Sequence, residues 1–129
     1  MRSSFPSLLQ WVCVATGGAL GAVLRYSFQI MWPASSTPSF PLTTFTVNVI
    51  GCFLAGVFLS VLEKANLRDS HLYLLLLTGF CGGFTTFSAF SMENFAFLQQ
   101  GAYGIFLIYS VGSLFLGVIA VALGWYLAR

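Results

Sequence analysis

The chain has 129 residues, of which 58% are hydrophobic and only 6% are charged, with a formal net charge of +2. Because a soluble domain carries roughly 25% charged residues, this composition and a mean hydropathy of +0.91 exclude an ordinary soluble domain. The charged side chains leave long charge-free runs at residues 3–24, 26–62, 72–92 and 94–128. A membrane-spanning helix needs about 20 apolar residues, so the sequence predicts an all-α integral membrane protein.

The first predicted span covers residues 8–31 and is followed by a loop that contains Pro33, Pro38 and Pro41. A secretory signal peptide is the alternative interpretation of this span. The segment lacks a small-residue cleavage site and continues past the usual length of a signal's apolar region, which favours a retained membrane helix.

Three further spans follow, at residues 42–62, 72–99 and 103–127. The charged stretch EKANLRD closes the second span, and QQGAYG predicts a tight turn between the third and the fourth. No linker or internal repeat divides the sequence. Residues 1–129 are therefore predicted to form a single domain of four transmembrane helices.

The residues that usually carry enzyme chemistry are few and scattered. Cys13, Cys52 and Cys81 all lie in apolar spans, are odd in number and form no C-x-x-C pair, so buried hydrophobic roles are favoured over a disulfide or a metal site. His71, the single histidine, lies at a predicted membrane edge. No catalytic set can be assembled from these residues, which argues against an enzyme.

Small residues recur at spacings that allow close helix contact in lipid, as in the G-x-x-x-G of Gly17 and Gly21. Cys52 and Gly56 repeat this spacing, and the fourth span carries Ser113, Gly117 and Gly124 along one side. Packing within one subunit and a seam between subunits both remain open. Because four helices pack solid around their common axis, a transport protein of this size needs a second subunit to form a route.

Two kinds of side chain could line such a route. Asn48 is the amide near the middle of the second span, and its NH2 group offers two donors to a dehydrated anion or to a neighbouring helix. Phe87 and Phe90, three residues apart, share a helix face and present positive ring edges. Thr86 and Ser88 lie beside this pair, which a plain lipid-facing stripe would not need.

The third span contains an interruption of its own helix. Gly82 and Gly83, followed by Thr85 and Thr86, predict a break near mid-membrane. Non-helical backbone at that depth persists only where protein buries it or where it lines a cavity. Carbonyls freed by an unwound helix are good cation ligands, and the N-terminus of a half-helix favours anions. The break therefore predicts an ion site.

The segment GFCGGFTTFSAFSMEN, together with VNVIG and GGALGAVLRY upstream, resembles the bacterial fluoride channel family called Fluc or CrcB. The resemblance extends over essentially the whole chain. It implies an antiparallel, dual-topology dimer with two fluoride pathways, each lined by both subunits, in the bacterial inner membrane. The implied function is passive fluoride efflux that lowers the toxicity of cytoplasmic fluoride. Expected partners are fluoride, membrane lipid and a second subunit, without nucleic acid.

The same resemblance implies roles for individual residues. Asn48 matches the pore asparagine, and the two phenylalanines match those whose ring edges meet fluoride. Gly82 and Thr85 match the positions whose backbone carbonyls hold a structural, non-transported sodium ion at the dimer interface. The remaining matches are the polar track formed by Ser113 and Tyr109, and two charged positions whose roles the resemblance leaves open, Arg25 and Glu93.

Two departures from the family pattern concern the polarity of the pore near Phe90. The usual FSTFS is FSAFS here, so Ala89 lacks a hydroxyl, and Gly117 replaces a serine found in some relatives. The main alternative function is a small dimeric multidrug exporter, but that activity needs a carboxylate in the first span, where this chain has none. A non-transporting assembly subunit would leave the helix break unexplained.

The distribution of basic residues bears on the orientation of the subunits. A dual-topology homodimer is favoured by a near-zero Lys/Arg bias. Four basic residues are predicted on one side of the membrane, Arg2, Lys64, Arg68 and Arg129, against Arg25 at or near the other. This bias keeps open a heterodimer with an oppositely oriented paralogue, although a homodimer is favoured.

Overall fold

The computed structural model describes residues 5–33 and 39–129, and these residues form an all-helical bundle. Arg2 of the orientation argument and Pro38 of the predicted loop lie outside the described residues. The helices are α1 (Leu8–Met31), α2 (Leu42–Lys64), a third span in two halves, namely α3 (residues 71–84) and α4 (Phe87–Gln99), and α5 (Tyr103–Ala128). The predicted bounds differ from these by two residues at most. Among the described residues, four helical segments are long and apolar enough to cross a membrane, when the two halves of the third span are counted as one.

Helix α1 begins at a capping box and ends before a proline. The Ser7 hydroxyl accepts from the Gln10 N–H at 3.4 Å, while the Gln10 side-chain oxygen accepts from the Ser7 N–H at 2.7 Å. Two N–H groups without helical partners are thereby satisfied. The helix closes at Trp32, directly before Pro33, which restricts the preceding residue to extended backbone.

Helix α1 packs on α3 by direct backbone contact at its G-x-x-x-G motif. A Cβ atom added at Gly17 would lie 2.1 Å from the Leu75 carbonyl oxygen, and one added at Gly21 would lie 2.2 Å from that of Phe80. No side chain fits at either position. The G-x-x-x-G motif therefore serves contact within one subunit, which answers the question that the sequence left open.

Helices α2 and α5 form the second close pair. A Cβ atom at Gly56 would lie 2.1 Å from the Val121 carbonyl oxygen, and one at Gly124 would lie 2.2 Å from that of Phe53. Because lipid provides no hydrophobic drive for helix association, such close backbone contact supplies the van der Waals packing that holds the pair. The subunit thus contains two glycine-packed pairs, α1 with α3 and α2 with α5, and α4 lies outside them.

The ends of α2 and α5 are joined by polar contacts at the predicted membrane edge. The Trp125 indole N–H donates to Glu63 Oε2 at 3.0 Å, and the same carboxylate forms an ion pair with Arg68. Lys64 Nζ donates to the Ala128 carbonyl oxygen at 2.8 Å. Lys64 and Arg68, two of the four basic residues predicted on one side of the membrane, are therefore both bonded within the subunit.

The third span combines a wide helix with a true break. Within α3, residues Leu74–Cys81 form a π-helix, which is rare and frequently found at functional sites. The break is narrower than predicted: Gly82 is helical (φ −63°, ψ −37°), whereas Thr85 (φ −80°, ψ 158°) and Thr86 (φ −146°, ψ 117°) are extended. The threonines interrupt the helix because the Thr86 hydroxyl caps α4, accepting from the Ala89 N–H at 3.2 Å.

Candidate functional site

Asn48 of α2 holds the break by two hydrogen bonds to one residue. Its Oδ1 accepts from the Thr86 N–H at 2.7 Å, and its Nδ2–H donates to the Thr86 carbonyl oxygen at 3.1 Å. This pairing fixes the orientation of the amide, because an N–H cannot accept and a carbonyl cannot donate. The amide nitrogen carries two protons and this contact uses one. Asn48 thus makes the interhelical bond and retains a second donor.

The backbone carbonyls around the break differ in whether they accept a hydrogen bond. Arg25 Nε donates to the Gly83 carbonyl at 3.2 Å, and Asn48 occupies that of Thr86. The carbonyls of Gly82 and Thr85 lose their usual donors four residues ahead, because the Thr86 N–H bonds to Asn48 and the Ala89 N–H bonds to Thr86 Oγ1. These are the two carbonyls that the resemblance assigned to sodium.

The side chains of Arg25 and Thr85 are both directed toward helix backbone. Arg25 lies inside α1, six residues before Met31, and bonds to the break. Its expected place at or near the far side of the membrane stays a prediction, and the structure adds that the residue lies within the helix and not in a loop. The Thr85 hydroxyl donates to the Cys81 carbonyl at 2.8 Å, so its proton is used within the helix.

The phenylalanine pair lies at the edge of the subunit. The Phe87 and Phe90 ring centroids are 5.7 Å apart, and Phe90 is 5.0 Å from the ring of Tyr109. The Phe87 side chain is 79% exposed, whereas Phe90 is half-buried. Ser88, beside the pair, is exposed and lies 3.3 Å from Thr86 between the hydroxyl oxygens. A route that uses both rings therefore runs along the outer surface of one subunit.

Glu93 is held between two hydroxyl groups from different helices. The Thr44 hydroxyl donates to Oε1 at 2.6 Å and the Tyr109 hydroxyl donates to Oε2 at 2.6 Å. Tyr109 is fully buried and Thr44 is 4% exposed. Thr44 was not identified from the sequence, although it lies one helical turn before Asn48 and therefore shares its face. This carboxylate connects α2, α4 and α5.

Ser113 extends the polar groups one turn further along α5 from Tyr109. Its hydroxyl oxygen is buried and has no hydrogen-bond partner within residues 5–33 and 39–129. Buried polar groups are nearly always hydrogen-bonded, and an exception calls for a specific explanation such as a bound ion or water. The structure thus groups Asn48 with Thr86, and Glu93 with Tyr109, and leaves Ser113 beyond them with a free donor.

Comparison with known sequences identifies the family. The profile described as "CrcB-like protein, Camphor Resistance (CrcB)" matches residues 12–125. The chain belongs to the CrcB family. A relative from Azobacteroides pseudotrichonymphae is 42% identical over 116 residues, covering 90% of this chain and 93% of its own length, and is named "Fluoride-specific ion channel FluC". The same name is borne by a relative from Saccharophagus degradans, 45% identical over 124 residues, with 94% and 92% of the two chains covered.

A third CrcB relative, from Gloeothece citriformis, is 43% identical over 122 residues, covers 95% of this chain and 98% of its own, and has that name as well. The resemblance noted in the sequence is thereby confirmed. With four helices of membrane-spanning length, this CrcB chain is a multi-pass protein of the bacterial inner membrane.

Proposed function

We propose that the chain is a fluoride-selective channel through which fluoride leaves the cytoplasm passively, lowering its toxicity. The observation that carries the proposal is the break at Thr85 and Thr86, which Asn48 holds beside the ring pair of Phe87 and Phe90. Relatives that are fluoride-specific channels by name support the choice of ion. The multidrug exporter has no comparable support, since the carboxylate of Glu93 lies on α4 and not on the first span.

Fluoride is small and strongly hydrated, so a pathway must replace its water without binding it too tightly to release. The second Nδ2–H of Asn48 and the free hydroxyl of Ser113 are donors that an anion could use. The ring edges of the two phenylalanines offer partial positive charge without a fixed cation. Thr44 and Tyr109 donate to Glu93, so their hydroxyls serve fluoride only by exchanging partners.

The proposed assembly is an antiparallel, dual-topology homodimer, with an oppositely oriented paralogue as the alternative partner. Phe87 is 79% exposed and Gly82 is exposed in the isolated subunit, although both belong to the candidate site. A Cβ atom at Gly82 would meet its nearest neighbour, the Leu77 carbonyl oxygen, at 4.0 Å, so the subunit leaves space there. A second subunit on this face would complete the pathway and cover the break.

We further propose a structural sodium ion between the two breaks. The carbonyls of Gly82 and Thr85 fit such an ion because their helical donors are used elsewhere, and an unpaired carbonyl in a membrane costs several kcal/mol. Bound there, the ion would supply positive charge that satisfies carbonyls of both subunits. Since the Thr85 hydroxyl is bonded to Cys81, Thr85→Ser should retain the site.

The function is tested by fluoride efflux from liposomes that contain the purified protein, followed with a fluoride electrode. Fast efflux of fluoride, with chloride retained, is expected. Protein-free liposomes give the background rate. Absence of efflux from folded, reconstituted dimer would overturn the proposal, and proton-coupled movement of organic cations by the same vesicles would favour the exporter instead.

A further inference from the structure

Two consecutive residues of α4 bind two consecutive residues of α5. Glu93 accepts from the Tyr109 hydroxyl at 2.6 Å, and Asn94 Oδ1 accepts from the Ser110 hydroxyl at 3.0 Å. Asn94 is 6% exposed, and its Nδ2–H donates to the Phe90 carbonyl oxygen at 3.0 Å. Glu93 and Tyr109 are among the residues that the family resemblance singles out, whereas Asn94 and Ser110 are not.

The helix α4 lacks the packing that holds the other helices. The pairs α1–α3 and α2–α5 are in direct backbone contact at glycines, whereas α4 contacts α5 and α2 through side chains. Its polar links are those of Glu93 and Asn94, together with the Asn48 contact at its N-terminal cap. The position of this half-helix therefore depends on these hydrogen bonds together with the ring contacts that Phe90 and Phe97 make with Tyr109.

The link at Asn94 restrains α4 in a direction that the bonds at Glu93 do not. Consecutive residues of a helix point about 100° apart around its axis. Glu93 bonds to α2 and α5, and the bond from Asn94 to Ser110 adds a restraint on rotation at a second position around the helix. Phe90 lies three residues before Glu93 and four before Asn94, on the same side of α4. Its ring direction is therefore set by the pair of links.

The Ser110 hydroxyl proton and one amide proton of Asn94 are bonded within the subunit. The Ser110 hydroxyl proton is used on Asn94, and an Asn94 amide proton is used on the Phe90 carbonyl. A buried amide that is bonded on both sides stiffens the helices it joins. These two residues differ in this respect from Ser113, whose hydroxyl is buried without a partner in the described chain.

We propose that Asn94 and Ser110 are positioning residues that fix the rotation of α4 and thereby the direction of the Phe90 ring. The inference rests on the proposed fluoride pathway. The Asn94–Ser110 link holds α4 in place while the hydroxyls on Glu93 exchange partners during conduction. Its loss would let the half-helix roll and move Phe90 away from Tyr109, without unfolding the subunit.

The test removes the Asn94–Ser110 hydrogen bond by changing Ser110, because a change at Asn94 would also remove its bond to Phe90. Ser110→Ala deletes the donor to Asn94 and leaves the bond between Asn94 and Phe90 intact. Flux per folded dimer should fall by about threefold to tenfold, as expected for the loss of one interhelical hydrogen bond. Ser110→Thr, which keeps the hydroxyl, should restore it. Ser27→Ala is the matched control, because the Ser27 hydroxyl donates at 3.0 Å only to Val23 of its own helix.

Hydrogen exchange of the backbone amides provides the second readout. Ser110→Ala should raise exchange within Phe87–Gln99 and leave that of Leu8–Met31 unchanged. Native flux and native exchange in Ser110→Ala would overturn the inference, as would a lower melting temperature with unchanged flux per folded dimer. Loss of fluoride flux already in the wild-type protein would instead refute the proposed function, and the exchange measurement would still decide whether the link holds α4.

Discussion

Asn48→Asp perturbs the contact between α2 and the break while changing the side chain's shape very little. The carboxylate keeps an acceptor for the Thr86 N–H, which lies at 2.7 Å in the native chain. It replaces the Nδ2 donor, 3.1 Å from the Thr86 carbonyl oxygen, by a second oxygen. One hydrogen bond is lost and two oxygens face each other, and an acceptor left unsatisfied inside the protein costs about 1–3 kcal/mol.

The larger effect of this substitution falls on the anion. Two like charges about 4 Å apart repel by about 4 kcal/mol at an effective dielectric constant of about 20. Since each 1.4 kcal/mol is roughly a factor of ten, fluoride occupancy beside Asp in place of Asn should fall by about 1,000-fold. We therefore expect fluoride flux through Asn48→Asp to be abolished. The subunit fold should persist, because the glycine contacts of α1 with α3 and of α2 with α5 do not involve Asn48, and we expect the folded subunits to assemble as dimers.

The assay is electrode-monitored efflux from liposomes, with size-exclusion chromatography to verify the dimer. Asn66→Asp is the matched control, because it makes the same chemical change in the loop after α2, at a positive φ of 55° that Asp also tolerates. The control should conduct as the wild type does. Near-native flux through assembled Asn48→Asp would refute the assignment of Asn48 to the pathway.

Further predictions concern the rings, the ion and the orientation. Phe87→Ile and Phe90→Ile remove the ring edges and should greatly slow flux in the same assay, with dimer assembly unchanged. Exhaustive replacement of sodium by N-methylglucamine should stop flux, and persistence of flux would exclude the structural ion. Gly82→Val should disrupt the dimer and spare the subunit fold, whereas Gly83→Val should damage the subunit itself, since its Cβ would lie 2.4 Å from the Gly18 carbonyl oxygen. A cysteine at Leu67, in a background without native cysteines, should be labelled from both sides of the membrane, and a single orientation would indicate a heterodimer or a parallel assembly.

The helices were predictable from the sequence, because charge-free runs and terminal signals determine membrane helices almost alone. The break was predicted in the right segment, but the prediction included Gly82 and Gly83, whereas only Thr85 and Thr86 have extended backbone. Gly82 stays helical with its N–H bonded to the carbonyls of Leu77 and Gly79, and Gly83 fits against Gly18 of α1, which is tertiary information. The threonines extend because one of them caps the following half-helix.

The site was less accessible to sequence reasoning, because hydrogen bonds between helices depend on their relative rotation and depth. Asn48 stood out as a polar residue in an apolar span, but its partner, the backbone of Thr86, carries no sequence signal. The position of Glu93 could be identified, whereas its contact with Thr44 required the alignment of α2 with α4. Similarly, the spacing of small residues could not say which helix they face.

The π-helix at Leu74–Cys81 also bears on how the length of the gene segment encoding it can vary during evolution. A π-helix accommodates an extra residue without ending the helix. Leu75 and Phe80 are five residues apart on α3, yet they contact Gly17 and Gly21, which are four residues apart on α1. The wide turns therefore take up one residue between two neighbouring contacts, and a single-codon deletion that returned this segment to α-helical winding would keep both contacts. A deletion inside the α-helical stretch Phe87–Gln99 would instead turn one side of that helix by about 100° relative to the other.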